Sequence, residues 1–265
     1  MSPESIISAL SLVKHGTIFD LGLEFGGKLY ATLPDYSTPF HSTRSLSGSV
    51  ESGVQICSEV IGGSIHHGTH IDALIHFQKD GHVFGGKATQ DATENNLWTA
   101  FGAETIPPIV CRGVLLDLAK ARGSALPDGF VASRADVQSA AIAQNIEFST
   151  DSAVLIRTGK TGRFTANTGE DWSSAPGISA EAAFWLAEQG MMLLGIDSPS
   201  PDAMPFKDWS CLAHIELLTE RGIHIVENLN LEELSLADSK EFAVVCTPLK
   251  FHGMSGGWVR PIAII

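Results

Sequence analysis

The length of the apolar blocks limits this fold more than any other feature of the chain. Residues 17–21, 54–61, 109–118, 153–158, 192–196, 223–226, 242–249 and 258–265 form short runs rich in β-branched side chains. Several are apolar at successive positions, as strands covered on both faces are, whereas a half-solvated strand alternates. None approaches the ~20 residues that a membrane-crossing helix requires. Three segments carry helical signals instead. Residues 3–14 space Ile6, Leu10 and Val13 at helical intervals. Residues 179–189 open on a capping Ser179, place Glu181 near the positive end and stop before Gly190. Residues 208–221 start at a capping Asp208 and stop before Gly222. Together these segments predict a mixed α/β (α+β) fold. No fixed-period repeat, low-complexity tract or Ser/Gly linker interrupts residues 1–265, so a single domain is expected. The glycine-rich connections 81–105 and 159–177 are long enough to line a site or an interface.

Composition narrows the function classes. Of 265 residues, 44% are hydrophobic and 18% charged, a globular balance that excludes a disordered chain. Seventeen basic against 30 acidic residues leave a formal charge of −13, which repels phosphate backbones and argues against a nucleic-acid partner. The opening MSPESIISAL lacks the basic region and long apolar stretch of a signal peptide, so a soluble cytoplasmic protein without a membrane partner is expected. Cys57, Cys111, Cys211 and Cys246 form no CxxC pair and read as four buried free thiols.

Chemistry concentrates in SIHHGTHIDALIHF. His66, His67, His70 and His76 fall within eleven residues, with Asp72 among them. Imidazole and carboxylate are the ligands that divalent first-row metals prefer. Gly68 and Thr69 interrupt any helix, and His67 stands where a zincin would carry its Glu. In an extended stretch, His70 and Asp72 share a face, and 72, 74 and 76 continue it. Gly68 lets the chain fold back and bring His66 to that face, while His67 and Ile71 point away. His214 lies on the apolar stripe of the helix expected over 208–221, and Glu227 ends the strand-like HIVEN.

HHGTHIDALIHF resembles the HxGTHxDxPxH signature of the metal-dependent cyclase-like hydrolases, the family of bacterial kynurenine formamidase and isatin hydrolase. Leu74 stands where that signature has Pro. The likeness extends to Phe19-Asp20-Leu21, Gly195-Ile196-Asp197 with 198–202, His214 with Leu217-Leu218, Val226-Glu227-Asn228-Leu229, and 248–260. It implies a swivelling β/β/α fold with a mixed-sheet, barrel-like core and peripheral helices, assembled as a homo-oligomer (dimer or tetramer). It also implies that His66, His70 and Asp72 hold a first Mn²⁺ or Zn²⁺. Positions matching Asp72, His76, His214 and Glu227 hold a second metal in two-metal members; in single-metal members His76 and His214 act around the metal's water.

The expected activity is metal-dependent hydrolysis of a small cyclic or N-acyl amide, with His76, His214 and Glu227 as the acting groups and His66, His70, Asp72 and His76 as metal ligands. Two other classes use the same atoms: a non-haem Fe(II) oxygenase built on His70, Asp72 and His214, and a non-catalytic metal- or small-molecule-binding module. Gly253-Met254-Ser255-Gly256-Gly257 fits GxSxG, but only a strand-like VRPIAII follows it, without the acid and His of a nucleophile elbow. Its glycines read as a tight turn near the pocket or near a neighbouring subunit. Phe40, Trp98, Trp172, Phe206 and Trp209 lie in loop-like stretches, compatible with a ring-bearing substrate and also with ordinary packing.

Overall fold

The computed structural model describes residues 1–24, 41–49, 52–166, 172–237 and 239–265. The strands that matter here are β1 (Ile18–Asp20), β2 (His41–Ser49), β3 (Val54–Gly62), β4 (His70–Asp72), β5 (Ile109–Asp117) and β6 (Ser152–Arg157). They continue with β7 (Met191–Ile196), β8 (His224–Glu227), β9 (Glu241–Cys246), β10 (Gly256–Trp258) and β11 (Ile262–Ile264). Nine of them form one mixed sheet in the order β1-β11-β9-β5-β6-β7-β8-β4-β10. β5 to β8 run parallel, and the flanking pairs are antiparallel.

Doubly apolar runs have a simple cause: both faces of the parallel strands are covered. Val114, Leu116, Val154, Ile156, Leu194 and Ile196 enter one core, together with Val137, Ala140 and Leu186 from the helices. Their neighbours Leu115, Ala153, Leu155 and Leu193 enter a second core with Leu229, Leu234 and Phe242. Each such Val, Leu or Ile contributes ~1.5–3 kcal/mol relative to exposure, so neither face tolerates a charge at these positions.

The block 258–265 divides into β10 and β11, and the division shapes the sheet. β10 lies last in the strand order and β11 second, seven strand intervals apart. In a flat sheet that distance is ~34 Å, whereas four residue steps reach only ~14 Å. Only a strongly curled sheet lets so short a connection span it, which makes the core barrel-like, as the resemblance implies.

Helices α1 (Pro3–Leu10), α2 (Leu118–Arg122), α3 (Arg134–Ala143), α4 (Lys160–Ala166), α5 (Ala180–Glu188) and α6 (Glu232–Ser235) surround the sheet. α5 starts as its sequence predicts, with the Ser179 side chain accepting from Ala182 N–H. α1 stops at Leu10, short of the expected residue 14; beyond it, His15 and Thr17 donate to the Ile265 carbonyl. α3 has too few large apolar residues to show a helical period, and its signal is the Ser133–Asp136 capping box. The connection 81–105 holds two-residue strands and short 3₁₀ turns, and 159–177 holds α4.

Two expectations of burial fail. β3 is not in the central sheet: it pairs with β2 as a hairpin, and Val54, Ile56, Val60 and Ile61 are all more than half exposed. Cys57, on that hairpin, and Cys211, in the bend before residue 213, are exposed, while Cys111 and Cys246 are buried. Burial pushes the latter two thiols up to about 12. All four are free.

Candidate metal centre

β4 is three residues long, and its neighbours decide what surrounds it. β8 places Glu227 opposite His70 and Ile225 opposite Asp72; β10 places Trp258 opposite His70 and Gly256 opposite Asp72. His70 and Asp72, two residues apart, project from one face, and Glu227 joins them as the cross-strand neighbour of His70. Upstream, Gly68 takes the left-handed conformation (φ 61°) that its missing Cβ permits, and the chain reverses. His66 Nδ1 thereby comes to 3.0 Å from Asp72 Oδ1, the fold-back the glycine predicts.

Downstream, the extended path through 72, 74 and 76 does not occur. The β8 and β10 ladders both end opposite Asp72, and the chain turns instead, with His76 N–H donating to the Ala73 carbonyl. That turn brings His76 Nε2 to 4.0 Å from Asp72 Oδ1 and stacks its ring on His66 at 3.9 Å between centroids. Leu74 packs into the helix-side core. His67 is buried, and neither of its ring nitrogens has a hydrogen-bond partner.

His214 arrives by a route the sequence does not announce. The helix expected from Asp208 begins at Ala213 and is π-helical over Ile215–Glu220, a geometry common at functional sites. Asp208 serves its own bend, accepting from Ser210 N–H and Oγ–H. The capping carboxylate is Asp202, which accepts from Ala213 N–H at 2.5 Å and His214 N–H at 3.2 Å. Asp202 Oδ2 also accepts from His214 Nδ1 at 2.7 Å. With that nitrogen engaged, His214 Nε2 faces Glu227 Oε1 at 3.1 Å and Asp72 Oδ2 at 3.6 Å. Phe77 stacks on the His214 ring at 4.1 Å, and Phe206 meets it edge-on at 6.4 Å. Of the other loop aromatics, Trp172 is buried, Trp209 is largely exposed against Phe206, and Trp98 N–H donates to the Gly253 carbonyl. Phe40 lies outside the described residues.

The electrostatics fit a cation. Burial would depress the His70 imidazolium, yet Asp72 and Glu227 lift it to about 10. Burial opposes His214 in the same way, and Asp202, Asp72 and Glu227 hold it well above the usual imidazole range. Burial would raise Asp72, but His76, His214, His66 and His70 hold it well below the usual carboxylate range. His76 goes the other way: burial and the neighbouring His66 keep it well below the usual range, so it stays neutral.

His70 Nε2, Glu227 Oε1 and Asp72 Oδ2 are buried and meet only other ionisable side chains: His70 Nε2 lies 3.1 Å from Glu227 Oε2, and His214 Nε2 lies 3.1 Å from Glu227 Oε1 and 3.6 Å from Asp72 Oδ2, none aligned as a hydrogen bond. A buried polar atom without an aligned hydrogen bond typically costs ~1–3 kcal/mol unless something satisfies it. A divalent cation does so, and these nitrogen and oxygen donors are its natural ligands. Ligand atoms of His66, Asp72 and His76 lie within 4.8 Å of one another, and so do those of His70, Asp72 and Glu227. Asp72 is common to both groups. The resemblance divides these five residues differently and adds His214, whose Nε2 lies 3.6 Å from Asp72 Oδ2, so all converge around this one carboxylate. The Fe(II)-type set His70, Asp72 and His214 is present too, and leaves His66, His76 and Glu227 without a role.

Residues 19–203 match the family model described as Putative cyclase. The chain belongs to the cyclase family. Kynurenine formamidases of Bacillus cytotoxicus and Bacillus mycoides resemble this cyclase-family chain at 28% identity over 244 and 232 residues, each match covering 88% of this chain and 90% of the relative. Among solved structures, a novel cyclase has a TM-score of 0.87 at 23% identity, covering 100% of this chain and 94% of its own. Isatin hydrolase A from Labrenzia aggregata, bound to benzyl benzoate, gives 0.70 at 20% identity and covers 99% and 98%. His214 and Glu227, both expected from the sequence, lie beyond the span of the cyclase model, and the structure brings their side chains together at 3.1 Å. Sequence reasoning missed Asp202 and Phe77. No local pattern marks Asp202, whereas Phe77 directly follows the histidine cluster and was open to notice.

Proposed function

We propose that this cyclase-family protein is a metal-dependent hydrolase that opens a small cyclic or N-acyl amide, of the isatin or N-formylkynurenine kind, by attack of water. The observation that carries the reading is the buried cluster around Asp72, in which ligand atoms of His66, Asp72 and His76, and of His70, Asp72 and Glu227, lie within 4.8 Å of one another. The names of its relatives, kynurenine formamidase and isatin hydrolase, point to that pair of substrate types.

On this reading His66, His70 and Asp72 would hold the first cation, and in a two-cation site Asp72, His76, His214 and Glu227 would hold the second. A bound Mn²⁺ or Zn²⁺ supplies two things: a water whose pKa falls to as little as ~7, and polarisation of the carbonyl oxygen. The protein supplies the rest. In a single-cation site His76, held neutral, would keep a lone pair with which to take a proton from the attacking water and return it to the leaving nitrogen, a role worth ~10²–10⁴-fold. Asp202 holds His214 with Nε2 turned toward Asp72 and Glu227. Phe77 and Phe206 offer ring surface beside His214 for an aromatic substrate.

The finer context follows the same reading. The exposed apolar strip Val54, Ile56, Val60 and Ile61 favours a homo-oligomer, a dimer or tetramer, since an isolated two-stranded hairpin is marginal in water. Four free thiols favour the cytoplasm. Among the described residues no helix is long and apolar enough to cross a membrane.

The test is metal analysis of purified protein alongside turnover of isatin, N-formylkynurenine, cyclic imides and simple lactones. Chelation abolishes activity and Mn²⁺ or Zn²⁺ restores it; full turnover in exhaustively chelated, metal-analysed protein overturns the proposal. Undiminished anaerobic turnover separates hydrolysis from Fe(II) oxygenation.

A further inference from the structure

The turn Gly253-Met254-Ser255-Gly256-Gly257 has no part in the proposed hydrolysis, yet it lies against the metal centre. The Ser255 carbonyl accepts from Ala73 N–H at 3.0 Å, which fastens the turn to the end of β4. Gly256 then pairs with Asp72. A Cβ at 256 would stand 2.9 Å from His66 Cε1 and 2.9 Å from the Ile71 carbonyl oxygen, so only glycine lets the ring lie this close. Ser255 Oγ sits 2.9 Å from His66 Nε2, while His66 Nδ1, at the other side of the ring, is 3.0 Å from Asp72 Oδ1.

A neutral imidazole carries one N–H, and a nitrogen can ligate a metal only through its lone pair. Nδ1 is the nitrogen turned toward the shared carboxylate, so if Nδ1 is the one that ligates the cation the proton resides on Nε2, where Ser255 Oγ stands as an acceptor. We infer that Ser255 is the positioning residue of His66: its hydroxyl accepts the Nε2–H and holds the tautomer whose Nδ1 faces the cation. The inference rests on the metal-centre reading above and adds what fixes its first ligand.

The same three side chains also have the layout of a Ser-His-Asp triad, and that use requires the opposite tautomer, with Nδ1–H toward Asp72 and Nε2 accepting from the serine. Ser255 lies in a bend before a strand, not at the strand–turn–helix elbow that exposes a nucleophile. The tautomer therefore decides between the two.

The experiment measures Zn²⁺ and Mn²⁺ dissociation constants of the full chain by competition with a chromophoric chelator, and the protonation of the His66 ring nitrogens by ¹⁵N NMR of the zinc-loaded protein. Loss of an outer partner of a ligating histidine typically costs 10–100-fold in metal affinity, the range expected for Ser255→Ala, with the melting midpoint of the metal-free protein unchanged. Ser255→Thr, which retains the hydroxyl, restores most of the affinity. The NMR measurement needs no variant and is expected to show the proton on Nε2. A proton on Nδ1 in the zinc-loaded protein, wild-type affinity in Ser255→Ala, or stoichiometric labelling of Ser255 by a fluorophosphonate overturns the inference. Failure of the wild-type chain to bind either metal overturns the hydrolase reading instead, so the two failures are distinct.

Discussion

Asp72 and Asp197 are both fully buried carboxylates at the ends of strands in one sheet, and they illustrate opposite uses of the same side chain. Asp197 is satisfied by its own chain: Oδ1 accepts from Thr158 N–H and Oγ–H, and Oδ2 from Gly159 N–H. Those bonds fix the start of α4. Asp72 has imidazoles in place of backbone donors, and its Oδ2 faces His214 Nε2 at 3.6 Å, beyond a normal hydrogen bond. Burial pushes Asp197 up to about 6 despite the Thr158 and Gly159 donors, whereas the histidines hold Asp72 well below the usual range. A buried acid met by backbone N–H groups is structural; one met by four imidazoles is prepared for a cation.

Substitutions break the comparison in graded steps. Asp72→Asn removes the one residue common to both ligand groups and is expected to lower kcat/KM by at least ~10³-fold, about 4 kcal/mol, with metal content falling in parallel. Steady-state kinetics with metal analysis checks it, and retained metal with retained rate would reduce Asp72 to a structural acid. Asp202→Asn comes next. Both Asp202 oxygens accept hydrogen bonds, so an amide must turn a donor toward one of them. A loss of ~10–100-fold in activity or metal affinity is expected, as for other partners of ligating histidines.

Asp197→Asn should leave turnover within a few-fold of wild type and act on stability, because the same donor conflict falls on Thr158 or Gly159. Its pH dependence has a definite sign. A carboxyl whose folded value, about 6, exceeds its ordinary 3.8 favours folding when protonated. Its contribution therefore declines as pH rises from 4 to 6 and stays at its minimum above that. Urea midpoints at pH 4 and 6.5 should show the stability of wild type falling relative to Asp197→Asn by roughly 2 kcal/mol across this window; parallel profiles would refute the assignment.

The smallest effect is chemical. Cys211 should alkylate readily and Cys57 more slowly, since its bond to Glu59 raises the thiol, while Cys111 and Cys246 should react only after unfolding. Peptide mapping after timed iodoacetamide treatment reads the order. Protection of Cys57 that disappears on dilution would mark the hairpin as a subunit contact.

Legibility follows the range of the forces involved. The blocks that became β5, β6 and β7 could be read because a strand buried on both faces has to be apolar throughout, a demand each block meets alone. The 54–61 block is rich in β-branched residues too, but Gln55, Ser58 and Glu59 interrupt it, and it forms an exposed hairpin and not a covered strand. His66, His70 and Asp72 were legible through strand alternation and one glycine, whereas His76 reached the site by a turn its pattern does not encode.

By itself the sequence determined which side chains near residue 70 share a face, since backbone geometry fixes direction over a few residues. Only the tertiary structure decided that Glu227 stands opposite His70, that Asp202 rather than Asp208 caps and aims His214, and that Ser255 meets His66. Those pairings depend on strand register and sheet curvature, which the summed packing of two cores sets and no short stretch of chain contains.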